Sequence, residues 1–183
     1  KTQGLSKILA VSPYGQVKAD ALAEIEAARE AKSREIQSKE GLTAEERQAA
    51  ETRLATEVQT AKDSIGQAAD NAGVGNAKSY GLTAIQAIKP EPLTKQAANE
   101  ALDNAAQTKR QQITDNKNLT TQEKQAAIAE VNQALATAKG KVEQASGRDD
   151  VAQAQAQGLN AIGDVTGQAV KKPQANADIE AAV

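Results

Sequence analysis

The feature that most constrains this chain is a sequence period of 77 residues. A fixed period of this length is typical of repeat arrays, in which one supersecondary unit recurs along the chain. We therefore predict two complete repeats, although a 183-residue length alone would suggest one domain. A shift of 77 positions pairs large aliphatic residues with one another, namely Ile25 with Leu102, Ile36 with Ile113, Leu42 with Leu119, Leu54 with Val131, Val58 with Leu135, Ile65 with Val142, Val74 with Val151, Leu82 with Leu159, Ile85 with Ile162 and Ile88 with Val165.

The repeat boundaries follow from prolines and from partial copies at both ends. Pro13 and Pro90 start the complete repeats, which we place at residues 13–89 and 90–166. Residues 1–12 are expected to be the C-terminal end of a preceding repeat and residues 167–183 the start of a following one, so that the chain would be part of a longer protein. The spacing of Gly81, Leu82, Ile85 and Ile88 recurs at Gly4, Leu5, Ile8 and Val11, and that of Lys95, Ala98, Leu102 and Ala105 recurs at Lys172, Ala175, Ile179 and Ala182.

The spacing of apolar residues within each repeat predicts three helices. In the first repeat we expect helices over about 16–38 and 44–68, followed by a shorter helix that carries Val74, Leu82 and Ile85. Turns are expected at 70–73 and 146–149, which are rich in Asp, Asn, Gly and Ser. The fold class is therefore all-α, with two tandem three-helix bundles.

A corner motif joins the first two helices of each repeat. Gly41 and Asn118 are predicted to end a helix in the left-handed conformation. Thr43 with Glu46, and Thr120 with Glu123, have the spacing of a capping box that starts the next helix. Further helix breakers, Pro90, Pro92 and Gly167, follow the third helices. We expect the repeats to be arranged end to end, with a bend at each joint, as an elongated rod.

Two recurring residues interrupt the apolar helix faces. Lys32 and Lys109 are expected to lay their methylene stems over the apolar seam and to place the ammonium group in water; contact with a ligand is the alternative. Gly81 and Gly158 lie inside the third helix, where glycine costs about 1 kcal/mol relative to alanine. Close approach of a neighbouring helix would compensate for this cost, and a hinge or a ligand contact is the alternative.

The composition argues against an enzyme. The chain has no His and no Cys, which removes the usual zinc ligands and the Ser-His and Cys-His pairs. The segment 73–79, Gly-Val-Gly-Asn-Ala-Lys-Ser, lacks the spacing of a phosphate-binding loop. We predict no catalytic, metal or cofactor-binding residues and no cofactor. Acidic side chains at predicted helix starts are explained by the helix dipole, and these are Glu45, Glu46, Glu123, Asp149 and Asp150.

The charge pattern narrows the possible partners. The net charge is -2, from 22 basic and 24 acidic residues, without a long run of either sign. Nucleic acid is therefore not an expected partner. No segment approaches the roughly 20 apolar residues that a membrane-spanning helix needs, so we expect no membrane insertion in this segment.

The recurring apolar, glycine and capping positions of the two repeats, taken together, resemble those of a known family. The helical repeats of giant Gram-positive cell-wall-anchored surface proteins, of the Ebh and SasC type, carry a similar pattern over essentially the whole chain. The resemblance implies a secreted, wall-anchored fibrous protein with roles in adhesion, cell aggregation or biofilm, and no catalytic residues. In this sequence the pattern is carried by Ala98, Leu102, Ala105, Lys109 and Ile113, by Asn118, Leu119, Thr120 and Glu123, and by Val142, Val151, Gly158, Leu159 and Ile162.

Two functional hypotheses follow. In the first, the repeats contact only their neighbours along the chain and form a non-catalytic stalk that projects a binding domain from the cell wall. In the second, the repeats themselves bind a host extracellular-matrix protein such as fibronectin, or a like repeat on another cell. The apolar residues Leu22 and Ile128, taken as outward-facing, are matched by Asn99 and Glu51, so a shared outward apolar patch is not expected. A cytosolic coiled-coil scaffold would need a long uninterrupted heptad, which the corners and prolines break.

Overall fold

The computed structural model describes residues 14–167, and within this range the chain forms six helices and no strand. Two compact units result, each made of three helices. The predicted all-α fold with two tandem three-helix repeats is confirmed. The helices of the first unit are α1 (Tyr14–Ser38), α2 (Ala44–Gln67) and α3 (Asn71–Gln86), and those of the second are α4 (Leu93–Asp115), α5 (Thr121–Gln144) and α6 (Arg148–Gly163).

The first unit has a thin core of aliphatic residues and alanines. Apolar residues spaced three or four apart put one stripe of each helix inside the bundle, and the predicted inward positions are mostly the buried ones. The α1 stripe includes Ile25 and Ile36, both with no exposed surface. The remainder of the buried cluster comes from Ala21, Ala50, Leu54, Val58, Ala61, Ile65, Val74, Ile85 and Ile88.

The second unit repeats this core at equivalent positions. Leu102 replaces Ile25, and Ile162 replaces Ile85; both are at most 1% exposed. Leu135 is packed against the cluster but only partly buried, whereas its counterpart Val58 is 4% exposed. The buried cluster consists of Ala98, Leu102, Ala106, Ile113, Leu119, Ala127, Val131, Ala138, Val142, Val151, Ala154 and Ile162.

The first and third helices of a unit run parallel to each other. The ammonium of Lys32 lies 3.5 Å from the Gln86 carbonyl, and that of Lys78 lies 2.8 Å from the Glu24 carboxylate. Both contacts join α1 to α3, and residues further along α1 meet residues further along α3. The second helix, which connects them in the chain, is antiparallel to both. The start of the first helix and the end of the third therefore lie at opposite ends of the bundle.

The two corners are closed in different ways. Gly41 has a φ of 80°, as predicted, but no residue other than glycine in the described part of the chain has a positive φ, so the prediction for Asn118 is wrong. The backbone turns earlier, because the Asn116 side-chain oxygen accepts a hydrogen bond from the Asn118 N–H at 2.9 Å. This side-chain turn replaces the left-handed residue.

Helix α5 starts with the predicted capping box. The Thr120 hydroxyl oxygen accepts a hydrogen bond from the Glu123 N–H at 3.3 Å, and the Glu123 carboxylate accepts one from the Thr120 N–H at 2.7 Å. The pair satisfies two of the donors that a helix N-terminus leaves open. In the first sequence repeat Thr43 holds the equivalent position and is fully buried.

The third helices begin earlier than predicted. The turn expected at 70–73 is shorter because the Asp70 carboxylate accepts a hydrogen bond from the Gly73 N–H at 2.7 Å, so α3 starts at Asn71. The Asp150 carboxylate likewise accepts one from the Gly147 N–H at 3.2 Å, and α6 starts at Arg148. Residues 87–92 after α3 are not helical, which confirms the predicted break, and Gly167 has a φ of 65°.

Some predictions fall outside the described residues. These are the partial copies at 1–12 and 168–183, with Gly4, Leu5, Ile8, Val11, Lys172, Ala175, Ile179 and Ala182, and the boundary at Pro13. Among the helices between residues 14 and 167, none is long and apolar enough to cross a membrane.

Candidate functional site

The acidic residues considered for chemistry lie at helix starts. Glu45 and Glu46 are in the first turn of α2, Glu123 is in the capping box of α5, and Asp149 and Asp150 are in the first turn of α6. Between residues 14 and 167 no three acidic side chains gather in a way that could hold a metal ion. These carboxylates therefore have a structural explanation, namely the helix dipole and the open backbone donors.

The segment 73–79 is helical. It lies within α3, so its backbone N–H groups are directed into the helix instead of forming a loop around a phosphate. The arrangement does not support a phosphate site there.

Gly81 and Gly158 mark the closest approach between helices. A Cβ atom on Gly81 would lie 2.4 Å from Ala61 Cβ and 2.9 Å from Ile25 Cδ1. A Cβ atom on Gly158 would lie 2.4 Å from Ala138 Cβ and 2.7 Å from Leu102 Cδ2. The interpretation as a close helix approach is confirmed, and the glycine and its alanine partner recur in both repeats.

One recurring basic residue joins the start of the first helix to the end of the second. Lys18 Nζ donates to the Gly66 carbonyl at 2.6 Å, and Lys95 Nζ donates to the equivalent Glu143 carbonyl at 2.6 Å. Lys95 is 7% exposed. Because the last carbonyls of a helix carry partial negative charge and lack helical partners, a cation there is favourable.

A second recurring lysine joins the first helix to the end of the third. Lys109 Nζ donates to the Gly163 carbonyl at 2.6 Å. Lys32 Nζ lies 3.5 Å from the equivalent Gln86 carbonyl and donates to the Glu35 carboxylate at 2.7 Å. For Lys32, which is 9% exposed, the prediction that the ammonium lies in water is wrong, because the end of the parallel helix offers an unpaired carbonyl within reach. The Lys109 contact is at an exposed position.

A third recurring basic residue joins the start of the second helix to the end of the first. Arg47 donates to the Ile36 carbonyl and, at 2.7 Å, to that of Gln37. Lys124 donates to the Thr114 carbonyl, which is equivalent to that of Gln37. Each of the three helix ends in a repeat thus receives a cation from another helix. Sequence analysis missed this set, and the only signal was recurrence of a basic residue at an offset of 77.

An ion pair between the first and second helices also recurs. Lys62 binds the Glu26 carboxylate, and Lys139 Nζ lies 2.7 Å from Asp103 Oδ2 at the equivalent positions. The hydrogen bond from Lys62, followed by the one from Arg29, lowers the pKa of Glu26. The Glu26 side chain remains 38% exposed, so the pair is screened by solvent.

The exposed apolar residues differ between the repeats. The prediction that Leu22 and Ile128 face outward is wrong, because both pack against the core of their own unit. Among the described residues, the large apolar side chains that are exposed are Tyr14, Tyr80 and Leu93, at 37%, 78% and 59%. Their partners at the 77-residue offset are polar, namely Glu91, Gln157 and Gln16. No apolar patch is therefore shared by the two described units.

A shallow groove of about 330 Å³ runs between α5 and α6. Its lining includes the small residues Ala134, Gly158 and Ala161 and the charged residues Glu130 and Lys141. The small residues that allow the two helices to approach closely also leave this groove. The equivalent positions of the first repeat include Glu57 and Tyr80, which are larger than Ala134 and Gln157.

Comparison with known proteins finds relatives in several strains of Staphylococcus aureus, all with the same descriptive name. "Extracellular matrix-binding protein EbhA" of Staphylococcus aureus strain Mu3 is 29% identical over 146 residues, which is 80% of this chain and 2% of the relative. "Extracellular matrix-binding protein ebh" of strain MW2 is 30% identical over 131 residues, 72% of this chain and 1% of the relative. EbhA of strain Newman is 29% identical over 150 residues, 82% of this chain and 4% of the relative.

The chain thus spans only a few per cent of the length of these relatives. No solved structure matches it. The family model described as "Domain of Unknown Function (DUF1542)" matches residues 17–93 and again residues 94–170. Because these two consecutive matches cover most of the sequence, the chain belongs to the DUF1542 family, of which it carries two tandem copies.

Proposed function

We propose that these repeats are a non-catalytic spacer in a bacterial surface protein, whose role is to hold a binding domain away from the cell wall. The observation that carries the proposal is the recurrence of internal contacts without recurrence of surface features. The glycine–alanine approach, the three cations at helix ends and the interhelical ion pair occur in both repeats, whereas the exposed apolar residues do not. Selection for a common binding surface would instead preserve outward side chains.

The spacer proposal includes an end-to-end arrangement and the repeat boundaries given above. Nearest-neighbour contacts are sufficient for the stability of such an array. The length of the relatives, of which this chain covers a few per cent, supports a role in which many repeats add reach. Extracellular location and attachment to the cell wall are part of the same proposal, and their support is the similarity to proteins named extracellular matrix-binding.

Small-angle X-ray scattering on the 183-residue chain tests the spacer. A compact domain of this length would have a radius of gyration of about 16 Å. An elongated pair of three-helix units should instead have a maximum dimension beyond about 80 Å, since a 25-residue helix alone is about 37 Å long. A radius near the compact value would overturn the spacer proposal.

The second candidate function is binding by the repeats themselves. The names of the relatives favour it, and Tyr80, 78% exposed on α3, is the side chain best placed to contribute. Surface plasmon resonance against immobilised fibronectin, and against the chain itself, distinguishes the candidates. Saturable binding that Tyr80→Ser weakens, with Thr83→Ser on the same helix as the control, would favour binding over the spacer.

A further inference from the structure

The route by which tension would pass through a repeat follows from the connectivity. Load enters at the start of the first helix and leaves at the end of the third, and these points lie at opposite ends of the bundle because the two helices are parallel. Pulling therefore makes the first and third helices slide past each other along their axes. The inference deepens the proposed function, because a spacer between a cell and its target carries tension.

The load enters the second repeat next to a buried charged contact. Lys95 lies in the first turn of α4 and donates to the Glu143 carbonyl, in the last turn of α5, at 2.6 Å. One turn further along α4, the Asn99 amide donates to the Glu143 carboxylate at 3.0 Å. Sliding of α4 in the direction of the load would break both hydrogen bonds.

The load leaves the same repeat at another charged contact. Lys109 on α4 donates to the carbonyl of Gly163, the last residue of α6, at 2.6 Å. When α6 slides relative to α4, the ammonium and this carbonyl separate. Hydrogen bonds with a charged donor are about twice as strong as neutral ones, and the partial negative charge of a helix C-terminus adds to the attraction.

We propose that Lys95 and Lys109 form a mechanical latch, which holds the first helix of the repeat to the ends of the second and third helices and so resists its sliding under tension, at the two points where load enters and leaves the repeat. Lys18 and Lys32 form the equivalent latch of the first repeat. That latch is weaker at its second point, because Lys32 is shared with Glu35 and lies 3.5 Å from the Gln86 carbonyl. In the second repeat Gln112 replaces Glu35, so no carboxylate at that position competes for Lys109.

Lys124 provides a matched control. Its ammonium also donates to a carbonyl near a helix end, that of Thr114, and it also belongs to the recurring set. However, it joins α5 to α4 beside their own short connection, 116–120, which lies off the path of the load. Removal of the Lys124 ammonium should therefore lower the equilibrium stability of the repeat without a comparable increase in its unfolding rate under force.

The test is single-molecule force spectroscopy on the full 183-residue chain, held by its two ends, with Lys95→Met, Lys109→Met and Lys124→Met. Methionine keeps the stem of the side chain and removes the charge. Each latch variant should raise the unfolding rate of one repeat at fixed force about tenfold. The unchanged first repeat serves as a reference in the same molecule, and Lys124→Met should change the rate by less than about twofold.

Urea titration of the same variants provides the second measurement, and circular dichroism checks that the helix content is unchanged. Similar shifts of the urea midpoint for Lys109→Met and Lys124→Met, with different unfolding rates under force, would support the latch. Unfolding rates that follow the urea midpoints in all three variants would overturn it. A compact particle in the scattering experiment would count against the spacer and would leave the outcome of the pulling experiment unaffected.

Discussion

At the scale of single residues, the close packing of helices in these repeats depends on glycine, which has no side chain. Gly158 has no Cβ, and the space that a Cβ would need is taken up by Ala138 and Leu102. Sequence analysis could predict this contact because a glycine inside a helix needs a compensating reason, and because the glycine recurs. It could not predict the partners, since they come from two other helices.

Gly158→Ala should therefore lower the free energy of unfolding by up to about 2 kcal/mol, because an overpacking cost of about 1–3 kcal/mol is offset by a gain of only about 1 kcal/mol in helix propensity. The matched control is Gly140→Ala near the C-terminal end of α5, where an added Cβ meets nothing within 4 Å. That variant should be more stable than the parent in urea titration. Equal stabilisation by both substitutions would contradict the close-approach account.

The Glu26 carboxylate makes the stability of the first repeat depend on pH. Its pKa is lowered in the folded state by Lys62 and Arg29, below the ordinary glutamate value of about 4.3. The stabilisation is therefore present above that value and is lost as the pH falls through the lowered pKa of the folded state. Glu26→Gln should reduce the loss of stability between pH 5 and pH 3, as measured by urea midpoints. Glu130→Gln is the control, a glutamate-to-glutamine change at a different position. If the urea midpoints of Glu26→Gln and of the parent fall in parallel with pH, the Glu26–Lys62 pair contributes nothing to stability.

At the scale of helices, contacts between residues close along the chain were more predictable than contacts between distant residues. The capping box at Thr120 and Glu123 has a spacing that can be read from the sequence, because both partners are close along the chain. The preceding helix ends at Asp115, and the Asn118 N–H is satisfied by the Asn116 side chain, so the left-handed backbone predicted for Asn118 is unnecessary. The cations at the helix ends come from other helices, so no short sequence spacing links them to the carbonyls that they bind.

Removal of the N-terminal cap of α5 should measurably lower the stability of the second repeat. Thr120→Ala is expected to lower the free energy of unfolding of the second repeat by about 1 kcal/mol, because the Glu123 N–H loses its acceptor. Thr121→Ala, one residue further along the same helix, is the control and should change stability by less than half as much. Thermal unfolding followed by circular dichroism compares the two, and an equal effect of both substitutions would argue against the cap.

At the scale of the whole molecule, the composition limits what each repeat can enclose. With only Tyr14 and Tyr80 as aromatic residues, and with alanine facing alanine or glycine between helices, each unit has a narrow core of its own. Most core positions are equivalent in the two units, which is why the period predicted the number of units. The spacing of apolar residues within one repeat predicted the three helices. The arrangement of one unit after another has no such local signal and is part of the proposed function.

The central claim is that added repeats add length, and scattering from chains of two, four and six DUF1542 repeats tests it most directly. The account predicts that the maximum dimension rises in equal steps, by roughly 35–40 Å per repeat, which is the length of its longest helix at 1.5 Å per residue. A maximum dimension that levels off as repeats are added, with a radius of gyration that grows only as the 0.38 power of chain length, would contradict it.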